Sequence, residues 1–264
     1  MIRYLRLTSQ FARASVQNEL AYRANFWVSL LHSLLNLVTG VLGVWMIFGQ
    51  VDAINGWDLP STLALLGVYL ALSALRGLFL GPSLEALAGM DGEVWTGSFD
   101  FTLLRPVDVL FLASVRHWRP FALVDLVLGI GVLGVAMTQL GQTLTLARLA
   151  AFLLTLTAGV AILYSLLLAF SALTLWNPGF LFTWVFDGLF QMARYPVGLY
   201  PGWLRLVLTW IVPVGVMTTV PAVALTGALS PWILAGSLGL ALLFFLGASI
   251  LFRAGLRRYT SASS

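Results

Sequence analysis

The chain contains no cysteine, which excludes disulfides, thiolate metal sites and cysteine nucleophiles. It also contains no lysine, because all fourteen basic residues are arginine. A phosphate-gripping GxxxxGK[ST] loop and a lysine Schiff base are thereby excluded. Charge of either sign is scarce: 9% of the 264 residues are charged, against roughly 25% in a soluble domain. So few charges cannot cover a water-facing surface. Histidine occurs only at His32 and His117, in different surroundings. A metal site needs several convergent ligands, and none is expected. Catalysis needs clustered titratable groups; none is visible, so the chain is not expected to be an enzyme.

What is abundant is apolar length. The chain is 60% hydrophobic, and runs of about twenty apolar residues recur, the length that crosses a bilayer as a helix. Backbone groups in lipid must be hydrogen-bonded within each helix. The expected fold class is therefore an all-α polytopic membrane protein with the lipid bilayer as its main partner. The pI near 9.9 would suit a nucleic-acid partner. The arginines, however, cluster at the ends of apolar runs, which membrane orientation explains better, so no nucleic-acid partner is expected.

Taken in order, residues 1–24 read as an interfacial amphipathic helix. Arg3, Arg6, Gln10, Arg13 and Gln17 form one polar stripe, with Tyr4, Leu5, Phe11 and Val16 towards the other side. No cleavable signal peptide is expected, because no continuous apolar core precedes Phe26. Six transmembrane helices are expected at 26–48, 60–81, 120–140, 149–175, 180–193 and 232–252. The break Trp176-Asn177-Pro178-Gly179 separates the fourth from the fifth. Residues 195–231 carry Pro196, Pro201, Pro213, Pro221 and Pro231 between short apolar pieces. Proline breaks helices, so this stretch is expected to form outer re-entrant half-helices between spans five and six, packed in protein. Pro196, Pro201, Pro213 and Pro221 are candidate gate or hinge positions; the plainer alternative is a static lid.

Orientation follows from the arginines. With six spans and the N-terminus inside, ten arginines face the inner side and only Arg148, Arg194 and Arg205 the outer. This bias places both termini and segment 83–119 in the cytoplasm. The segment holds eight of the charges: Glu85, Asp91, Glu93, Asp100, Arg105, Asp108, Arg116 and Arg119.

Few polar residues fall within the spans. His32 and Asn36 lie one turn apart on one helix face, either as a pore lining or, more simply, as helix–helix hydrogen bonds. Arg76, Asp125 and Asp187 are costly in lipid. Arg76 is about a turn and a half from the end of its span and can snorkel outward. Asp125 is equally shallow and is one partner it could pair with. Asp187 is placed in the outer part of the fifth stretch. Structural pairing is the expected role of all three, and a chain of acids at mid-depth is not seen.

The cytoplasmic segment has its own punctuation. Gly89, Gly92 and Gly97 separate two short pieces, and Arg105-Pro106 ends the second. A further helix over 107–115 is expected, with Pro106 in its first turn. Trp95, Phe99 and Phe101 beside acids and arginine make a candidate docking knob; the plain reading is a connecting interfacial helix.

The run Gly97-Ser98-Phe99-Asp100-Phe101-Thr102-Leu103-Leu104-Arg105-Pro106-Val107 resembles the G-x-hydrophobic-D-x-x-L-L-R-P segment of membrane subunits in the ABC type-2 export family, close to small bacterial permeases of about 260 residues. Asn18-Glu19-Leu20-Ala21-Tyr22-Arg23-Ala24-Asn25-Phe26 is similar to that family's approach to its first span. Tyr195-Pro196, Tyr200-Pro201, Trp203-Leu204-Arg205 and Pro213 are similar to its outer segment. The resemblance implies a permease subunit of an ATP-driven exporter in the bacterial inner membrane. It implies an ABC ATPase in two copies that binds ATP and Mg, with no cofactor in this chain, and a second permease, identical or paralogous. Trp95, Gly97, Phe99, Asp100, Leu103, Leu104, Arg105 and Pro106 would form or flank the element coupled to the ATPase. The competing readings are an ion-coupled secondary transporter and a non-transporting membrane scaffold.

Overall fold

In a computed structural model, which describes residues 2–21, 23–141, 144–180, 182–227 and 229–260, the protein is helical almost throughout. Tyr22 in the run ahead of the first span, Leu181 in the expected fifth span, Ala228 in the proline-rich stretch and the Ser/Ala tail lie outside those residues.

Helix α1 (Ile2–Ala21) leads into α2 (Arg23–Phe48). A small hairpin follows, β1 (Ala53–Ile54) paired antiparallel with β2 (Trp57–Asp58). Asn55 and Gly56 join the strands at φ 51° and 81°, the left-handed pair that Asn-Gly supplies in a two-residue turn. Asp58 then caps α3 (Leu59–Glu85). Its carboxylate accepts the Ser61 N–H at 2.9 Å while the Ser61 hydroxyl accepts the Asp58 N–H at 3.1 Å. That reciprocal box satisfies donors left over at a helix start.

Pro82 sits inside α3, where it cannot donate to the carbonyl four residues back. A π-helical turn over Arg76–Leu80 precedes it, and the Leu78 carbonyl instead accepts the Arg119 N–H at 2.9 Å. The bond ties the lower part of α3 to the start of α6 (Pro120–Leu140). Between them lie the short helices α4 (Asp100–Leu103) and α5 (Val109–Val115). The expected helix over 107–115 thus starts two residues late. The Asp108 carboxylate caps it by accepting the Phe111 N–H at 2.9 Å, and Pro106 stands outside its first turn. Helix α6 ends at Gly141 with φ 59°, a left-handed C-cap. Helix α7 (Leu146–Thr174) and helix α11 (Pro231–Arg258) complete the long helices.

Five helices among the described residues are long and apolar enough to cross a membrane: α2, α3, α6, α7 and α11. They run alternately between two ends. One end carries the charged segment: Ser171 near the end of α7 donates to the Leu84 carbonyl at 3.1 Å, and Gly255 of α11 packs against Leu175. The other end carries the hairpin, beside the end of α6 at Leu140.

Within the expected fifth span at 180–193, α-helix covers 182–191 and a 3-10 turn covers 192–194. Helix α8 (Phe182–Gln191) has ten residues, about 15 Å at 1.5 Å per residue. The chain nevertheless travels from one end to the other. Phe182 stacks on Phe170, Phe190 contacts Tyr69 half-way up α3, and the Gly198 carbonyl accepts from Asn55 of the hairpin at 3.0 Å. Two 3-10 turns, Met192–Arg194 and Val197–Leu199, cover the upper part, because Pro196 and Pro201 bar a continuous helix.

Two helices then follow, α9 (Gly202–Ile211) and α10 (Gly215–Thr226), bent by 74° at Val212-Pro213-Val214. The pair begins just after the hairpin contact of Gly198 and ends at Thr226, which lines a pocket with Gly56 and Asp58. Both of its ends therefore lie at the hairpin end.

Helices α3 and α7 form the centre, with 61% and 56% of their most apolar stretches buried, whereas α2, α6 and α11 stay near 11–17%. Small residues let backbones meet, as in membrane helix packing. A Cβ on Gly67 would lie 2.9 Å from the Leu133 nitrogen, and one on Gly129 2.9 Å from the Ala71 nitrogen. A Cβ on Gly159 of α7 would lie 2.7 Å from the Met217 carbonyl oxygen of α10. Gly129→Leu should therefore destabilise the fold by about 1–3 kcal/mol through overpacking. Gly131→Leu, which points into open space, should not. Thermal unfolding in one detergent, comparing both variants with the parent, checks this.

Candidate functional site

The segment after α3 folds into a platform at the charged end. Gly89 and Gly97 turn the chain at φ 87° and 75°, conformations glycine adopts without steric cost. Val94 and Phe99 are fully buried beneath. The Arg116 guanidinium forms an ion pair with Glu93 and donates to the Thr102 hydroxyl at 2.7 Å, so one side chain clamps both limbs. Burial pulls the Arg116 guanidinium below its ordinary value. The His117 N–H donates to the Ser83 hydroxyl at 2.7 Å, and that hydroxyl donates to the His117 carbonyl at 3.1 Å.

The candidate docking residues divide into two sets. Trp95, Leu103, Leu104, Arg105 and Pro106 are exposed, Leu104 by 80%. Phe101 and Met90, at 69% and 68%, are further exposed apolar side chains of the segment. Phe99 points the other way. It is 0% exposed and meets the Tyr259 ring edge-on at 5.5 Å. Asp100 lies against the Tyr259 hydroxyl, which burial and then this carboxylate push up to about 12. Phe99 and Asp100 thus anchor the platform to the end of α11, and Gly97 provides its turn. Tyr259 carried no signal in the sequence, because its partner is 159 residues away (259 − 100).

Helix α1 lies along the returning limb. Arg3 donates to the Pro106 carbonyl at 3.2 Å, Tyr4 packs edge-on to Phe111 at 4.7 Å, and Ser15 accepts the Trp118 N–H at 3.2 Å. Glu19 accepts the Phe121 N–H at 2.9 Å. Burial raises this carboxyl, against the lowering effects of that N–H and of Arg119.

Inside the bundle, Arg76 does not pair with Asp125 and does not snorkel. Its side chain is 15% exposed and binds Glu85 at 2.6 Å and Asp187 at 2.5 Å. The guanidinium also lies over the Phe186 ring at 4.8 Å. Asp187 therefore belongs to the charged-end half of the bundle rather than its outer part. Glu85 was hidden as a partner because nine residues put two side chains on opposite faces of a straight helix. The π-helical turn alters that phase, and the missing side chain of Gly81 leaves room, since a Cβ there would meet the Glu85 Oε1 at 2.8 Å.

A cavity of about 540 Å³ adjoins this cluster, with His32, Asn36, Arg76, Asp125 and Asp187 all on its walls. Acids thus do converge around one space between the helices, which the linear order of the chain concealed. His32 and Asn36 share that wall, and Asn36 also accepts from Arg194. Arg194 stacks on the Tyr69 ring at 5.2 Å, so it sits half-way up the bundle and does not count among outer arginines. Of the candidate hinge prolines, Pro213 is at the 74° bend, Pro196 and Pro221 are buried, and Pro201 is exposed ahead of α9.

The sequence profile of a family described as "ABC-2 family transporter protein" matches residues 34–263. The chain belongs to the ABC-2 transporter family. It has no match among curated proteins. As an ABC-2 family chain with several membrane-spanning helices, it is a multi-pass membrane protein and a transport component. The match includes the platform, the Arg76 cluster and the bent α9–α10 pair, and stops short of α1.

The platform of this ABC-2 chain carries a built-in pH dependence. His117 is held below its ordinary value, first by burial and then by Arg116 and Arg119. The unfolded chain takes up a proton near pH 6.5 while the folded chain does so only at lower pH. The His117 contribution to stability is therefore fully present above about pH 6.5 and is lost as pH drops through that value towards the folded one. Thermal midpoints at pH 7.5 and 5.5 should show a drop that His117→Gln diminishes.

Proposed function

We propose that the chain is the permease half of an ATP-driven exporter, and that the platform over 83–119 receives a separate ABC ATPase. The carrying observation is the exposed set Trp95, Phe101, Leu104 and Arg105, displayed on a platform anchored to three span ends. Aromatic and arginine side chains dominate binding energy at protein interfaces. The absence of lysine supports an outside source of ATP chemistry, with ATP and Mg held by two ATPase copies. A second permease, identical or paralogous, completes the path.

In this reading the platform and both termini face the cytoplasm of a bacterial inner membrane. Moving Arg194 into the bundle leaves ten arginines inward against Arg148 and Arg205 outward, which strengthens the charge bias. Helix α1 lies in the inner interface. Helices α9 and α10 enter from the outer side and return to it, with Pro213 at their turn as a hinge. ATP-driven closure of the ATPases pushes the platform. The push reaches α3 through Ser83 and Glu85, and α8 through Arg76. The chain itself moves and performs no catalysis.

Ion-coupled transport is a second reading, favoured by the acids around the cavity. Transport that continues without any ATPase and collapses with an ionophore would select it. For the first reading, the double variant Leu104→Arg with Arg105→Glu should weaken ATPase capture at least about thirtyfold, equivalent to about 2 kcal/mol. Membrane insertion should be unchanged. Undiminished capture and stimulated hydrolysis would overturn the assignment.

A further inference from the structure

The cavity beside Arg76 has a volume of about 540 Å³, within the range that accepts a small organic ligand. It extends from Glu19 and Arg119 at the charged end to Asn36 and Ser73 inside the bundle. Its charges do not balance. Glu19, Glu85, Asp125 and Asp187 oppose only Arg76 and Arg119; with His32 counted neutral, four carboxylates against two guanidiniums leave a net charge of −2.

The Arg76 guanidinium is already engaged. Arg76 is bound by Glu85 and Asp187, and Arg119 lies beside Glu19. Of the four carboxylates on its walls, Asp125 is the one with no hydrogen-bond or ion-pair partner among the described residues. Asp125 is half-buried, and a carboxylate held partly away from bulk water is better accommodated where a cation meets it. No group of three metal-binding side chains converges among the described residues, which favours an organic cation over a metal ion. The remaining wall is apolar in part, with Val28, Phe121 and Ala122. The outward faces of α2 at Leu31 and Leu35 are exposed, leaving space for a hydrocarbon tail alongside.

We infer that this cavity binds an amphiphile with a cationic amine head, protonated or quaternary, seated on Asp125 with its tail against Val28 and Phe121. Asp187 and Glu19 add negative potential but keep Arg76 and the Phe121 N–H as their respective partners. The inference rests on reading the chain as a transport subunit and names the chemical class it carries.

The full chain in nanodiscs, titrated calorimetrically with dodecyltrimethylammonium, tests it, with empty nanodiscs as baseline. Saturable binding of one probe per chain is expected, absent for dodecyl sulfate. Asp125→Asn should weaken it by about tenfold or more, and Ser29→Phe, which fills the cavity, should abolish it. Asp125→Asn removes no existing contact, and an unchanged thermal midpoint verifies its fold. Non-saturable uptake equal to empty nanodiscs, equal binding of dodecyl sulfate, or unchanged affinity in either variant would overturn the inference. No ATPase is present in this titration, so its failure is separate from failure of the platform's docking role.

Discussion

Arg76 is the interaction on which the interior depends. Helix α8 is too short to span the bundle, and its packing is largely a column of aromatic rings, Phe182, Phe186 and Phe190, against Phe170 and Tyr69. The Arg76 guanidinium adds charge and direction to that column. It holds Asp187 of α8 and Glu85 at the root of the platform, and lies over Phe186. The Arg76 side chain is itself 15% exposed, so loss of its carboxylates would leave a largely buried charge unmet. One residue thus joins the element that faces a partner to the element that leads towards the bend at Pro213.

Around this link the bundle uses backbone proximity rather than bulk. Gly67 and Gly129 bring α3 and α6 together, and Gly159 brings α7 against α10. In lipid, apolar side chains gain little by leaving one hydrocarbon for another, so close packing and polar bonds carry association. Proline sets where those polar bonds are freed. Pro82 releases the Leu78 carbonyl, and the Arg119 N–H takes it. The same residue that interrupts a helix therefore pins the platform's return limb to it.

Much of the fold was legible in the chain. Apolar length marks helices whatever their neighbours, because a bilayer demands internally satisfied backbone. The break at Trp176–Gly179 and the punctuation at Gly89 and Gly97 were legible for a related reason: glycine and proline act locally. The expected fifth stretch at 180–193 is helical over most of its length, but its continuation was not legible: Pro196 and Pro201 end regular helix above α8 while the chain runs on to the hairpin. The candidate docking set was partly legible. Composition identified aromatic and charged positions, but could not separate Leu104, which faces outward, from Phe99, which is buried under the platform.

By itself the sequence determined the solvent of this protein, its helical character, the need for ATP chemistry to come from elsewhere if ATP drives it, and the family resemblance carried by Gly97 to Pro106. Each depends on residue type or on neighbours within a few positions. Only the tertiary structure decided that Arg76 takes Glu85 and Asp187 rather than Asp125, that Arg194 is an interior residue, and that Asp100 ties down Tyr259. Those outcomes depend on helix phase across a π-helical turn and on contacts between distant segments. No periodicity in one chain encodes either before the helices are packed.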